Sequence, residues 1–533
     1  MTITKDSAAI SQPSRYIGVM RSALALLILA LYCNAQPAAT FLNPPAGEAS
    51  GSPAIACREV QRLTGFELTI ESAALVPAED GTPEFCRVLG MVLPEIRFEV
   101  AMPTAWNRRF MMTGNGGYAG DTLESPQRLR LRAIAMRQGF AAAVTNTGHD
   151  SRDEPLASFA VNRQKLLDYA FRSLHVTAEA GKKITTAYYG AKPSRSYFQG
   201  CSTGGRQALI LAQRFPDDFD GIVAGAPVLN FSASMLSFAC REQALSAAPV
   251  PYAKLALLSE RIYALCDAKD GLKDGLIDDP RRCDIQPSRD FPRCAAGVDD
   301  SKCFTDAQIG TLEKIYGDIQ AGGIRVFPGW PVGAEVAGAD GRSGWDQWIV
   351  RETPEKTIAY QFAESFFRHM AFPRKDQGIE LREVDAAKHA MRLGWIHDIL
   401  DATNPDLSAF RDRRGKMLMY FGWADQSLNA QMGVDYYESV QQKLGPGTPD
   451  FFRLFMQPGV FHCGGGVGPG SFEPLLVVVD WVERGKAPDR ITASRIVDGK
   501  TVRTRPLCPY PQTAKYSGAG SIDESENFRC AAR

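Results

Sequence analysis

The sequence predicts the α/β class: a mainly parallel sheet flanked by helices, with a large inserted lid domain. Three observations carry this expectation. From about residue 57, strand-like apolar runs alternate with helix-like runs. Gly200-Cys201-Ser202-Thr203-Gly204 joins one such strand run to one such helix run. Between about 231 and 404 strand signals thin out, and they resume at 416–421. A length of 533 residues also calls for several domains, or one large domain with an insertion. The expected organisation is a signal peptide at 1–35, the first part of the core at 36–230, the lid at 231–404, and the second part of the core at 405–533.

The N-terminal stretch reads as a targeting segment. Arg15 and Arg21 precede the apolar run 23–32, and small residues follow at Ala35, Ala38 and Ala39. That run is too short to span a bilayer, so a cleaved secretory signal is expected, with a secreted or periplasmic product. The twelve cysteines fit export to an oxidising compartment. Cleavage removes Cys33 and leaves an odd number, so one thiol lacks a partner within the chain. Formal net charge is zero, which gives no reason to expect nucleic acid or an anionic membrane as partner. No later run is apolar and long enough to cross a membrane.

Residues 36–56, rich in Ala, Pro, Gly and Ser, form a lead-in. Strands are expected at 97–102, 109–113 and 139–145, then a long amphipathic helix at 166–189. The serine-bearing strand at 196–199 and its helix at 206–215 come next, and a strand at 221–226 closes the first part. Within 231–404, Cys266, Cys283, Cys294 and Cys303 cluster, and aromatic residues crowd around Trp345, Trp348, Phe366 and Phe367. Short buried strands at 416–421 and 451–456 resume the sheet.

Gly-x-Ser-x-Gly between strand and helix is the context of a nucleophile elbow, in which glycines permit a very tight turn and the serine is exposed at its tip. A serine hydroxyl is a weak nucleophile without a base. In the α/β-hydrolase architecture the chain order is Ser, then Asp or Glu, then His, each after a strand. Of the six histidines, His462 fits: it follows the 451–456 strand, whereas His149 and His175 precede the serine and His369, His389 and His397 fall in the lid. Asp425 follows the 416–421 strand and is the expected acid, with Asp412, Asp435 and Glu438 as nearby alternatives. Two backbone N–H groups must face the oxyanion. Thr203 supplies one, and the glycine-rich loop 113–120 the other, at Gly117 or Gly116. That loop also mimics a dinucleotide fingerprint, but no strand ending in an acidic residue follows about twenty positions on.

Cys201 precedes the serine and Cys463 follows the histidine. Gly-Cys-Ser-x-Gly-Gly with a later His-Cys-Gly-Gly-Gly resembles the tannase and feruloyl esterase family over nearly the whole chain after the signal. The resemblance implies an α/β-hydrolase core with a lid, hydrolysis of aromatic acid esters, and no organic cofactor. It implies the pairs Cys57–Cys86, Cys201–Cys463, Cys266–Cys283, Cys294–Cys303 and Cys508–Cys530, leaving Cys240 over. It also implies a structural lid calcium held by the side chains of Asp267, Asp270 and Asp274 and the carbonyls of Leu272 and Leu276. Carboxylates between Asp-Gly turns suit a hard cation, although the spacing is not that of an EF-hand.

The expected function is a secreted serine esterase acting on small aromatic, phenolic esters, with Trp345, Trp348, Phe366, Phe367 and Leu428 near the ring. The family includes a mono(2-hydroxyethyl) terephthalate hydrolase, which carries phenylalanine at the position of Leu428. That activity is one alternative; a non-catalytic polyphenol- or carbohydrate-binding protein on the same fold is another.

Overall fold

The computed structural model describes residues 43–336, 338, 344–351, 357–373 and 378–532. The expected signal peptide at 1–35, with Cys33, lies outside the described residues.

A nine-stranded sheet runs in the order β1-β2-β3-β5-β4-β6-β7-β10-β11. β1 (Leu68–Val76), β2 (Phe85–Val92) and β3 (Ile96–Pro103) form an antiparallel meander, and β3 pairs antiparallel with β5 (Ala141–Thr145). From β5 onward every pairing is parallel, through β4 (Arg109–Thr113), β6 (Arg195–Cys201), β7 (Gly221–Gly225), β10 (Lys416–Gly422) and β11 (Phe452–Gln457). β4 and β7 are buried along their whole length, as strands covered on both faces must be. Side-chain alternation sorts the two faces. Met111, Tyr197, Val223 and Leu418 meet the helices Pro126–Arg137 and Pro474–Arg484 through Met136, Val478 and Val479. On the opposite face Phe110, Phe198, Ile222 and Met419 join the helices Ser173–Tyr189 and Thr203–Arg214.

The expected strands are present, displaced at most a few residues. The helix expected at 166–189 differs. It begins at Arg163, where the Asn162 side chain accepts from the N–H groups of Gln164 and Lys165, and a π turn over Asp168–Arg172 interrupts it. Apolar spacing does not register one extra residue in a turn.

Among the described residues, the chain between β7 and β10 adds no strand to the central sheet. It contributes helices, chiefly Phe231–Ala247, Leu255–Cys266, Asp306–Tyr316 and Ile358–His369, and a small hairpin of β8 (Ile319–Ala321) and β9 (Ile324–Phe327). After β11, the pairs β12 (Ile491–Val497) with β13 (Lys500–Leu507) and β14 (Thr513–Tyr516) with β15 (Phe528–Ala531) close the chain. All five implied disulfides are present, with Cα separations of 4.9–6.0 Å. Cys240 is the free cysteine among the described residues.

Candidate active site

β6, β7, β10 and β11 are consecutive neighbours, so loops leaving their carboxyl ends meet along one edge of the sheet. Ser202 stands at the end of β6 with φ 64° and ψ −123°, and the helix Thr203–Arg214 begins at the next residue. The glycines make this turn possible. A Cβ on Gly200 would lie 2.5 Å from the Gly204 carbonyl carbon, and one on Gly205 would lie 2.3 Å from the Gly225 oxygen. Gly204 is less confined, its nearest contact being 3.0 Å. The Ser202 N–H donates to the Gly225 carbonyl at 3.0 Å, and the Ser202 carbonyl accepts the Arg206 N–H at 3.0 Å. These bonds hold the non-glycine residue in its positive-φ conformation.

His462, in the loop after β11, has Nδ1 2.8 Å from Asp425 Oδ2. The other carboxylate oxygen of Asp425 accepts the N–H groups of Ser427 and Leu428, each at 2.8 Å. The His462 N–H donates to Gln426 Oε1 at 3.1 Å, so loop and ring are anchored separately. The alternatives face elsewhere: Asp412 pairs with Arg411, Asp435 with Arg325, and Glu438 accepts from Tyr510. The other histidines also have different surroundings. His149 stacks on Phe159 and burial pushes its imidazole down to about 4; His175 bonds Asp218; His389 and His397 face Asp385 and Asp398. The Cys201–Cys463 bond links the residue before Ser202 to the residue after His462, with Cα atoms 6.0 Å apart.

The loop after β4 lies against the serine turn. Gly114 and Asn115 spend their N–H groups on Gln199 O and Gln207 Oε1, and the Gly116 carbonyl accepts the Ala119 N–H in a turn. The Gly117 carbonyl accepts two hydroxyls, Thr203 Oγ1 at 2.6 Å and Tyr169 Oη at 3.1 Å.

The insertion brings aromatic rings to this edge. Trp348 meets the His462 ring edge-on at 6.1 Å and Phe362 at 6.0 Å. Phe362 stacks on Tyr118 at 4.9 Å and borders Gly117. Trp345, Phe366 and Phe367, expected around a substrate ring, are instead fully buried inside the insertion, against Tyr316, Phe231 and Phe372. Phe362 was missed in the sequence. It lies one helical turn before Phe366, and spacing alone does not say which ring faces the site. Leu428 is buried beside the acid, its N–H on the Asp425 carboxylate.

In the acidic loop, Asp267 Oδ1 accepts from Asp274 and Gly275, Asp270 from Leu272, and Asp274 from Leu276. The second oxygen of Asp274 pairs with Arg505. Burial first, and Asp267 nearby, raise the Asp270 carboxyl. The oxygen donors suit calcium in kind, and each carboxylate is oriented by a backbone N–H of its own loop. Among the described residues, however, no three acidic, His or Cys side chains converge into a metal-binding group, so an ion would have to draw these together.

The profile described as "Tannase and feruloyl esterase" matches residues 82–531. The chain belongs to the tannase and feruloyl esterase family. It is 35% identical to an uncharacterized esterase of Xanthomonas campestris pv. campestris, over 90% of this chain and 92% of that one. It is 33% identical to the mono(2-hydroxyethyl) terephthalate hydrolase of Piscinibacter sakaiensis, over 87% of each. The crystal structure of feruloyl esterase B from Aspergillus oryzae superposes with a TM-score of 0.78 at 26% identity, covering 89% of this chain and all of that one. As a member of the tannase and feruloyl esterase family, the chain is a carboxylic ester hydrolase. Among the described residues no helix is long and apolar enough to cross a membrane.

Proposed function

We propose that this is a secreted serine esterase that hydrolyses esters of aromatic, phenolic acids through an acyl-enzyme. The observation that carries the mechanism is the 2.8 Å bond from His462 to Asp425, in a loop tied by disulfide to the residue before Ser202. Ser202 Oγ attacks the ester carbonyl while His462 Nε2 takes its proton. Asp425 fixes the ring tautomer and stabilises the imidazolium. The N–H of Thr203 and that of Gly117 or Gly116 receive the oxyanion. His462 returns the proton to the leaving alcohol, and water then releases the acid by the same steps. The preference for aromatic acids rests on Trp348 and Phe362, whose rings lie beside His462 and Gly117 respectively and against each other.

A calcium ion, when bound, would be held by Asp267, Asp270 and Asp274 with the carbonyls of Leu272 and Leu276, and would neutralise the carboxylates of that loop without entering the reaction. The test is hydrolysis of methyl ferulate, methyl gallate and mono(2-hydroxyethyl) terephthalate by wild type and Ser202→Ala. Wild type is expected to prefer the phenolic esters. Ser202→Ala is expected to lose on the order of 10⁴-fold or more in kcat. More than a few per cent residual activity would show the nucleophile to be another residue.

A further inference from the structure

We infer that Tyr169 is a positioning residue for the oxyanion loop, and that Arg206 holds it there; this rests on the reading of Ser202 and the Gly117 loop given above. The Gly117 carbonyl belongs to the peptide unit shared with Tyr118. A planar peptide has its C=O and N–H on opposite sides, so holding this oxygen sets the direction of the Tyr118 N–H and limits rotation about the Gly117 backbone. Two hydroxyls hold it, from Thr203 and Tyr169. Thr203 is itself the residue after the serine. The two halves of the expected oxyanion site are therefore joined at one carbonyl oxygen, and Tyr169 supplies the second donor.

Tyr169 lies in the π turn Asp168–Arg172, fully buried. A π turn widens the helix by one residue and loosens its hydrogen bonding, which is costly unless other groups use the freed carbonyls. Arg206, on the first turns of the helix after Ser202, does so. Its guanidinium donates to Tyr169 O at 3.2 Å and Ala170 O at 3.0 Å, and lies 5.0 Å over the Tyr169 ring. It also donates to Leu400 O at 2.9 Å, where the insertion returns to the core. Arg206 is completely buried. It thus joins the serine helix, the π turn and the end of the insertion, and the Tyr169 hydroxyl continues that link to Gly117. Burial also pushes the Tyr169 phenol up, so it remains a donor at neutral pH.

The test is Tyr169→Phe in the full-length enzyme, which removes one hydroxyl and leaves the ring. Methyl ferulate kinetics, affinity for phenylboronic acid as a tetrahedral-adduct mimic, and affinity for the product ferulate are measured beside Ser202→Ala. The expected result is a kcat about ten-fold lower, smaller than the order of 10² or more that follows deletion of a direct oxyanion donor. Boronate affinity should fall by a matching factor, with KM and ferulate affinity unchanged. Wild-type kcat in Tyr169→Phe beside an inert Ser202→Ala overturns this inference alone. A lower kcat with undiminished boronate affinity also overturns it, since only packing would then be affected. Substantial activity in Ser202→Ala overturns the reading of the site and this inference with it.

Discussion

The acid loop at Asp425 and the acidic loop at 267–276 use the same local device and place it in different surroundings. In each, an aspartate oxygen accepts the N–H two residues on: Asp425 from Ser427, Asp270 from Leu272, and Asp274 from Leu276. The device freezes the carboxylate and says nothing about its use. What differs is the group at the other oxygen. For Asp425 it is the His462 ring, which can accept and return a proton; for Asp274 it is Arg505, whose charge is permanent. Among the described residues, a third carboxyl has no cation in reach of its hydrogen bonds. Glu335, fully buried, accepts from the Gly333 N–H and the Tyr316 hydroxyl, and burial pushes it up to about 7. The same functional group can thus orient an imidazole, tie a loop, or be made easier to protonate, and the surroundings decide which.

The strongest way to break this comparison is Asp425→Asn. The amide can still accept from Ser427 and Leu428 but can stabilise the wrong His462 tautomer. kcat is expected to fall on the order of 10⁴-fold with little change in melting temperature. A mild kinetic effect would place Asp425 with the purely structural carboxylates.

Replacing both Cys201 and Cys463 by alanine tests whether the serine and histidine loops depend on their covalent link. A shift of about 1 Å between base and nucleophile can cost on the order of 100-fold. A loss of that size is expected here, larger than for any other bridge, while the fall in stability, typically about 2–4 kcal/mol, should resemble that of the others. Equal kinetic losses at all bridges would remove the special role of this one. Non-reducing peptide mapping checks the linkage itself.

Asp270→Ala should give the reverse of Asp425→Asn: a lower melting temperature with kcat largely intact. A calcium chelator should lower the melting temperature of wild type and have little further effect on the variant. Unchanged melting curves in both experiments would leave the loop as an ordinary acidic turn.

The smallest effect concerns Glu335. Its folded-state value, raised to about 7, means that the native state holds the proton more tightly than the unfolded chain. Between the ordinary glutamate value and about 7 the folded protein binds more protons, so this group's contribution is present at low pH and is lost as pH rises through that window. Glu335→Gln should flatten that decline in a denaturation series from about pH 4 to pH 8. An unchanged slope would mean that Glu335 ionises in place without cost.

Much of the site is legible in the sequence because its signals are local. A strand, a glycine-bounded serine and a helix are contiguous, and the order Ser202, Asp425, His462 follows from strands that announce themselves as apolar runs. The cysteines flanking the serine and the histidine identify the family and, through it, the pairing found in the fold. The edge strand β1 and the C-terminal hairpins are less legible, since half-exposed strands carry a weaker apolar pattern.

Sequence alone therefore determined the chemistry on offer: a serine at a strained turn, a histidine and an aspartate after later strands, and a family-specific cysteine frame. Tertiary structure decided which members of equivalent sets are used. It turned Asp425, and not Asp412, Asp435 or Glu438, toward His462. It put Phe362 at the site and buried Phe366 and Phe367 behind it. It widened one helix into a π turn so that Tyr169 reaches Gly117. In each case the deciding contact joins residues far apart in the chain, and neither residue type nor periodicity distinguishes the chosen member from its neighbours until the sheet and the insertion are packed together.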